Sequence, residues 1–135
     1  FGYRRYELSN FALPGYESLH NRIYWRREWY KGFGPSASSF IKESRLRYTN
    51  VPSISRYIRE FPPPRRYDPL DEEAERMEIV FLGLRTGSLP VDWYVENYGA
   101  ERLKALEEFL DVKGGRISVK NEYLYLFDAI VRRMV

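Results

Sequence analysis

The sequence predicts an α+β fold in two parts, a strand-rich first stretch followed by a winged-helix-like helical domain. Three observations carry that reading. Charge divides sharply: residues 1–67 hold 13 basic and 5 acidic side chains, a net of +8, and residues 68–135 hold 9 and 14, a net of −5, giving +3 overall. Aromatic residues divide the same way, 15 against 8. The apolar pattern changes from alternation to helical spacing on either side of Pro62-Pro63-Pro64-Arg65-Arg66, a stiff run that cannot be helix. The expected division is residues 1–61, a proline-rich linker at 62–67, and a helical domain at 68–135.

Composition bounds the rest. Of the 135 residues, 44% are apolar and 17% aromatic, enough for a core and too many for a disordered chain. No run of about 18 uncharged apolar residues occurs, so no membrane-spanning helix is expected. Cysteine is absent, which excludes a disulfide scaffold, a thiol nucleophile, a zinc finger and a thiolate-held iron–sulfur cluster within these residues. The chain begins at Phe1 without a charged-then-apolar leader. It reads as cut from something longer and as cytoplasmic.

In the first part, Arg5 to Ser9 alternates polar and apolar residues, as a half-buried strand does. Leu13-Pro14-Gly15-Tyr16 signals a turn. A second strand is expected within Gly32 to Ile41, softened by Gly34 and Pro35, and a third at Arg45 to Thr49, with Lys42-Glu43-Ser44 as the hairpin loop. Ser53 caps a short helix whose apolar face is Ile54, Tyr57, Ile58 and Phe61. Three strands and one short helix cannot bury this many aromatics, so another part of the parent protein, or a partner, is expected to cover them.

The second part is marked more clearly. Asp68 is the expected cap of a helix with Pro69 at its first position, acidic residues 71, 72, 73 and 75 near its positive end, and Gly87 as its stop. Its expected buried stripe is Ala74, Met77, Phe81 and Leu84. A second helix runs from Pro90 to Gly99. A third runs from Ala100 to Leu110, with Leu103, Leu106 and Leu110 inward. Asp111 to Val119 reads as a Gly114-Gly115 hairpin, and Asn121 caps a last helix bearing Leu124, Phe127, Val131 and Met134.

A winged helix invites a DNA reading, which charge opposes. The third helix carries Glu101, Glu107 and Glu108 against Arg102 and Lys104, in a half of net −5, whereas phosphate attraction needs positive charge. The basic half is different. Tyr24, Trp25, Trp29 and Tyr30 interleave with Arg22, Arg26, Arg27 and Lys31. Such a set stacks nucleic-acid bases, holds a flat macrocycle and its carboxylates, or simply packs arginine on aromatic core.

One segment adds a resemblance. Tyr6-Glu7-Leu8-Ser9-Asn10-Phe11-Ala12-Leu13-Pro14-Gly15-Tyr16-Glu17-Ser18-Leu19-His20-Asn21-Arg22-Ile23-Tyr24-Trp25 resembles a stretch of the radical-SAM heme chaperones, proteins often labelled oxygen-independent coproporphyrinogen III oxidases. Its His-Asn-x-x-Tyr-Trp part is characteristic of the chaperone branch. Gly32-Phe33-Gly34-Pro35-Ser36-Ala37 and Met77 to Gly87 are similar to later family segments, in order. The resemblance implies that this chain is the last portion of a partial (β/α) radical-SAM barrel plus the C-terminal domain. The parent's N-terminal barrel would carry a 4Fe–4S cluster and S-adenosylmethionine, and its function would lie in porphyrin and heme metabolism, with heme passed to a receiving protein.

His20 is the only histidine. A lone histidine is more often structural, but neutral imidazole is a good axial ligand for heme iron, and the resemblance assigns that role to His20. Asn21, Tyr24 and Trp25 would flank it at strand or loop spacing, and Arg22, Arg26 and Arg27 would pair with propionates. By the same resemblance, Gly34, Ala37 and Ser38 would line the mouth of the S-adenosylmethionine site. The family commonly has histidine at position 38, so only a backbone role carries over there. Glu7 and Glu17 suit arginine partners as well as proton chemistry. No catalytic constellation stands out.

Overall fold

The computed structural model describes all 135 residues. In chain order the elements are β1 (Arg4–Arg5), β2 (Phe11–Ala12), α1 (Leu19–Trp25), β3 (Ser38–Ile41), β4 (Leu46–Asn50), α2 (Ile54–Arg59), β5 (Arg65–Pro69), α3 (Glu72–Thr86), β6 (Leu89–Pro90), α4 (Val91–Tyr98), α5 (Ala100–Lys104), β7 (Leu110–Lys113), β8 (Arg116–Val119), a 3-10 turn (Asn121–Leu126) and α6 (Phe127–Met134). The mixed helix-and-sheet class agrees with the α+β expectation. The chain forms two compact units, Phe1–Leu19 with Glu75–Val135, and His20–Ala74. That partition differs from the expected one, because the first nineteen residues join the helical unit.

The helical unit owns the closed core. Val80, Leu84, Leu89, Tyr94, Leu106 and Ile117 are buried in one cluster with the inner face of α6. Strands β6, β8 and β7 form an antiparallel sheet in that order. Gly114 and Gly115 both take positive φ, at 55° and 70°, which the tight β7–β8 turn demands. Gly87, at φ 65°, ends α3 as expected. The amides of Gly87 and Ser88 donate to Leu84 and Gly83 carbonyls, satisfying the last turn. Gly83 is also required by packing, since a Cβ there would lie 2.9 Å from that of Leu89.

Several expectations are corrected here. The stripe of α3 holds at Leu84, which is buried, and at Phe81, which packs on the core, but Met77 is 44% exposed and Val80 is buried in its stead. Helix α5 stops at Lys104, and Leu110 opens β7, because the chain must turn to enter the hairpin. The last helix begins as a 3-10 turn and becomes α-helical only at Phe127. The Arg5 to Ser9 strand shrinks to Arg4–Arg5. Beyond it the Glu7 side chain accepts from the Ser9 amide at 2.7 Å and the Ser9 hydroxyl at 3.0 Å. That local bond replaces a ladder bond and bends the chain.

The second unit is a small antiparallel sheet, β3–β4–β5, with α1 and α2. The β3–β4 hairpin and the Ser53-capped helix α2 form as expected, with the Ser53 hydroxyl accepting from the Arg56 amide. The apolar face of α2 is open: Ile54, Ile58 and Phe61 are 67%, 75% and 97% exposed. The expected strand from Gly32 reduces to Ser38–Ile41, preceded by a loop. The expected linker is also corrected. Arg65 to Pro69 pair with Asn50 to Leu46 as β5, so most of the charged part of the proline run is sheet. Pro69 is tolerated because β5 is an edge strand. Asp68 therefore cannot cap α3. Asp71 does so, accepting from the Ala74 amide at 2.8 Å.

Candidate functional site

The stretch His20 to Trp25 is helical, not extended. Helical spacing pairs His20 with Tyr24 on one face and Asn21 with Trp25 on a neighbouring face. The Tyr24 hydroxyl lies 2.8 Å from His20 Nε2, with the rings edge-to-face at 4.7 Å. Tyr24 in turn meets Tyr30 edge-to-face at 4.5 Å. Tyr30 is tied to β3 by reciprocal backbone bonds with Phe40 at 3.2 and 2.9 Å. An aromatic ladder thus runs from the sheet to the exposed His20 imidazole.

Helix α1 closes without glycine. Arg27 takes φ 53°, its amide donates to the Tyr24 carbonyl, and the Glu28 amide reaches back to Ile23. This places the Arg27 guanidinium 5.8 Å from the Phe40 ring centre. Arg22 and Arg26 stand one turn apart on a face of α1 other than that of His20.

Gly34, Ala37 and Ser38 form a second group, at the entrance to β3. Gly34 has φ 98°, and its amide donates to the Tyr57 hydroxyl at 3.0 Å. Its carbonyl accepts from the buried Asn50 side-chain amide at 3.0 Å. Asn50 also takes a 3.4 Å bond to the Gly32 carbonyl, so one amide pins the whole loop. A Cβ at Gly32 would stand 2.2 Å from the Ser38 carbonyl oxygen, so close packing alone requires that glycine. The Ser38 and Thr49 hydroxyls are 2.9 Å apart across β3 and β4.

Of the interleaved aromatics, Trp29 and Tyr24 are exposed, while Arg27 and Lys31 lie over two buried rings outside that set. Phe40 is 2% exposed with Arg47 5.6 Å from its ring centre, and Tyr48 is 4% exposed with Arg65 at 4.6 Å and Lys31 at 5.0 Å. Lys31 donates to the Tyr48 hydroxyl, and this bond, with one from Ser39, lowers the Tyr48 pKa below the ordinary phenol value.

The beginning of the long motif has a different fate. Glu7 is 5% exposed, and its Oε2 lies 2.5 Å from Arg85 Nε. The contact is ionic rather than an aligned hydrogen bond. Arg85 also donates to the Ser9 hydroxyl at 2.7 Å, and the Leu8 amide donates to the Arg85 carbonyl at 3.1 Å. Glu7 is thus an arginine partner. Both residues stand in the quoted motifs, but no local signal pairs them. Asn50 escaped notice too. Its only sequence sign is a lone amide closing an alternating strand.

No group of three or more His, Cys, Asp or Glu residues is arranged to hold a metal ion. That set does not fit a 4Fe–4S cluster, whose cysteines are absent. A porphyrin-held iron would ask less of the chain, a single imidazole, and His20 is the one imidazole it offers. No helix is long and apolar enough to cross a membrane.

Comparison with known proteins adds family. No family model matches the chain. It is similar to the heme chaperone HemW of Lactococcus lactis, 40% identical over 89 residues, covering 64% of this chain and 23% of that protein. The HemW of Bacillus subtilis is 38% identical over 104 residues, covering 73% and 27%. That of Mycobacterium tuberculosis is 30% identical over 141 aligned positions, covering 99% and 35%. In fold the chain is similar to the coproporphyrinogen III oxidase HemN of Escherichia coli, a radical SAM enzyme, with TM-score 0.63 and 19% identity, over 98% of this chain and 37% of that one. The chain thus spans about a quarter to a third of the length of these relatives. These relatives, with the His-Asn-x-x-Tyr-Trp motif, support kinship with the radical-SAM heme chaperone family, to whose C-terminal portion the chain is similar.

Proposed function

We propose that this chain handles heme for transfer to a receiving protein, with His20 as the protein's ligand to the iron. The observation that carries the reading is the exposed imidazole at the tip of a fixed aromatic ladder. His20 would hold the iron through its imidazole, with Tyr24 edge-to-face beside the ring and Trp25 and Asn21 on the adjoining face. Arg22, Arg26 and Arg27 would pair with the propionates.

The family name carries further parts of this proposal. Residues 1–61 would form the C-terminal edge of a partial radical-SAM barrel, and residues 68–135 a winged-helix-like cap. The missing N-terminal barrel would hold the 4Fe–4S cluster and S-adenosylmethionine, with Gly34, Ala37 and Ser38 offering backbone at the mouth of that cofactor's site. The chain by itself, lacking cysteine, would perform no radical chemistry. The setting is the cytoplasm. The alternative is a nucleic-acid-binding module using the basic aromatic N-terminal half, where Tyr24 and Trp29 stand exposed.

Hemin titration followed by the Soret band tests the main reading. His20→Ala is expected to weaken binding at least about tenfold and shift the band, as loss of an axial ligand does. Unchanged affinity and spectrum would remove the assignment. Salt-steep RNA binding without hemin binding would favour the alternative.

A further inference from the structure

We infer that Tyr24 is a latch that competes with iron for His20 Nε2, so that this site releases heme rather than stores it. The inference rests on the reading of His20 as the ligand and deepens it. The Tyr24 hydroxyl sits 2.8 Å from Nε2, the outer ring nitrogen and the one an approaching metal meets first. Whichever atom carries the proton, the Nε2 lone pair is engaged. Either it accepts the phenol hydrogen, or the nitrogen itself is protonated and donates. Coordination therefore requires the hydroxyl to withdraw.

Two features make the latch a fixed part of the site. The His20–Tyr24 spacing is one helical turn, so α1 holds both side chains on one face. Tyr24 is also braced from the other side by Tyr30, at 4.5 Å, which β3 holds through two backbone bonds. The hydroxyl thus stays poised near Nε2. On release the iron–nitrogen bond breaks, the electron pair stays on nitrogen, and the Tyr24 hydroxyl donates to it. No electron or proton is exchanged with another molecule. An exposed hydrogen bond of this kind favours the heme-free state modestly, which suits a carrier that must give up its cargo.

The test compares the parent chain, Tyr24→Phe, His20→Ala and the double variant by hemin titration and by dissociation into excess apomyoglobin. Tyr24→Phe keeps the ring and its contacts and removes only the hydroxyl. It is expected to tighten hemin binding about three- to tenfold and slow dissociation by a similar factor. His20→Ala is expected to erase the difference between the two Tyr24 forms. In the heme-free chain, the nitrogen NMR signal of Nε2 should move when the hydroxyl is removed. Weaker or unchanged binding in Tyr24→Phe, with His20→Ala still disruptive, would overturn the latch and leave the ligand intact. Binding that ignores His20→Ala in both backgrounds would overturn the ligand reading, and the latch with it.

Discussion

Glu7 and His20 belong to one continuous motif, yet the chain uses them in opposite ways. Glu7 is 5% exposed, closed on Arg85 and Ser9 in the helical unit. His20 is exposed, on a short helix of the sheet unit, with Tyr24 as its neighbour. The lesson is that a long sequence signature need not mark a single site. Its first half fixes backbone, through a buried carboxylate and local bonds that bend residues 7–9. Its second half presents side chains. The units around them differ in the same sense. The helical unit surrounds a closed apolar cluster, whereas the sheet unit leaves Ile54, Ile58 and Phe61 in the open.

The strongest way to break this contrast is Glu7→Gln. It removes the buried carboxylate that faces the half-buried Arg85 guanidinium, a loss of about 2–3 kcal/mol in urea unfolding followed by tryptophan fluorescence. The pair Glu7→Leu with Arg85→Met should recover much of that loss, because two apolar groups replace two charges. A Glu7→Gln chain as stable as the parent would place Glu7 among the presenting residues.

The next effect is set by pH. Tyr94 is fully buried and donates to the Met134 carbonyl at 2.9 Å, and burial pushes its pKa up to about 12. The folded state thus favours the protonated phenol more than the unfolded state does, whose ordinary value is about 10. This stability is fully present below pH about 10 and is lost as pH rises through about 12. In that window the parent should lose at most about 1.4 kcal/mol per pH unit from this group. Tyr94→Phe, though less stable at neutral pH for want of the bond, should show a shallower alkaline decline. Identical slopes would remove Tyr94 from the account.

The smallest expected effect sharpens the other side of the comparison. His20→Ala should change stability within about 0.5 kcal/mol, since the ring is exposed and its bond to Tyr24 lies at the surface. A large loss of stability would make His20 a structural residue after all.

Local rules hold at many positions where one or two residues decide the backbone, though Asn121 does not cap the last helix, which Leu126 precedes. Ser53, Gly87, Gly99 and the Gly114-Gly115 pair end or begin elements as their chemistry requires. The failures came where distant chain competes. Asp68 is a good cap, but pairing of β5 with β4 claimed it, and Asp71 took the role. The stripe of α3 departs from expectation at Met77, which is exposed while Val80 is buried, since periodicity fixes a spacing but not the exact width of the face that meets the core. His20, Tyr24 and Trp25 were legible as residues of interest through the motif. Their helical phase was not, because α1 lacks a glycine stop and closes on Arg27 in a left-handed conformation.

What the sequence alone determined is the inventory: no thiol, one imidazole, a basic aromatic stretch ahead of an acidic helical one, and the punctuation that limits each element. Those follow from residue chemistry and bonds a few positions long. Tertiary structure decided the pairings, Glu7 with Arg85, Asn50 with the Gly32–Gly34 loop, and Arg65 to Pro69 with β4. Such contacts satisfy buried polar groups across long separations, and many partners along the chain could serve each of them until the fold selects one.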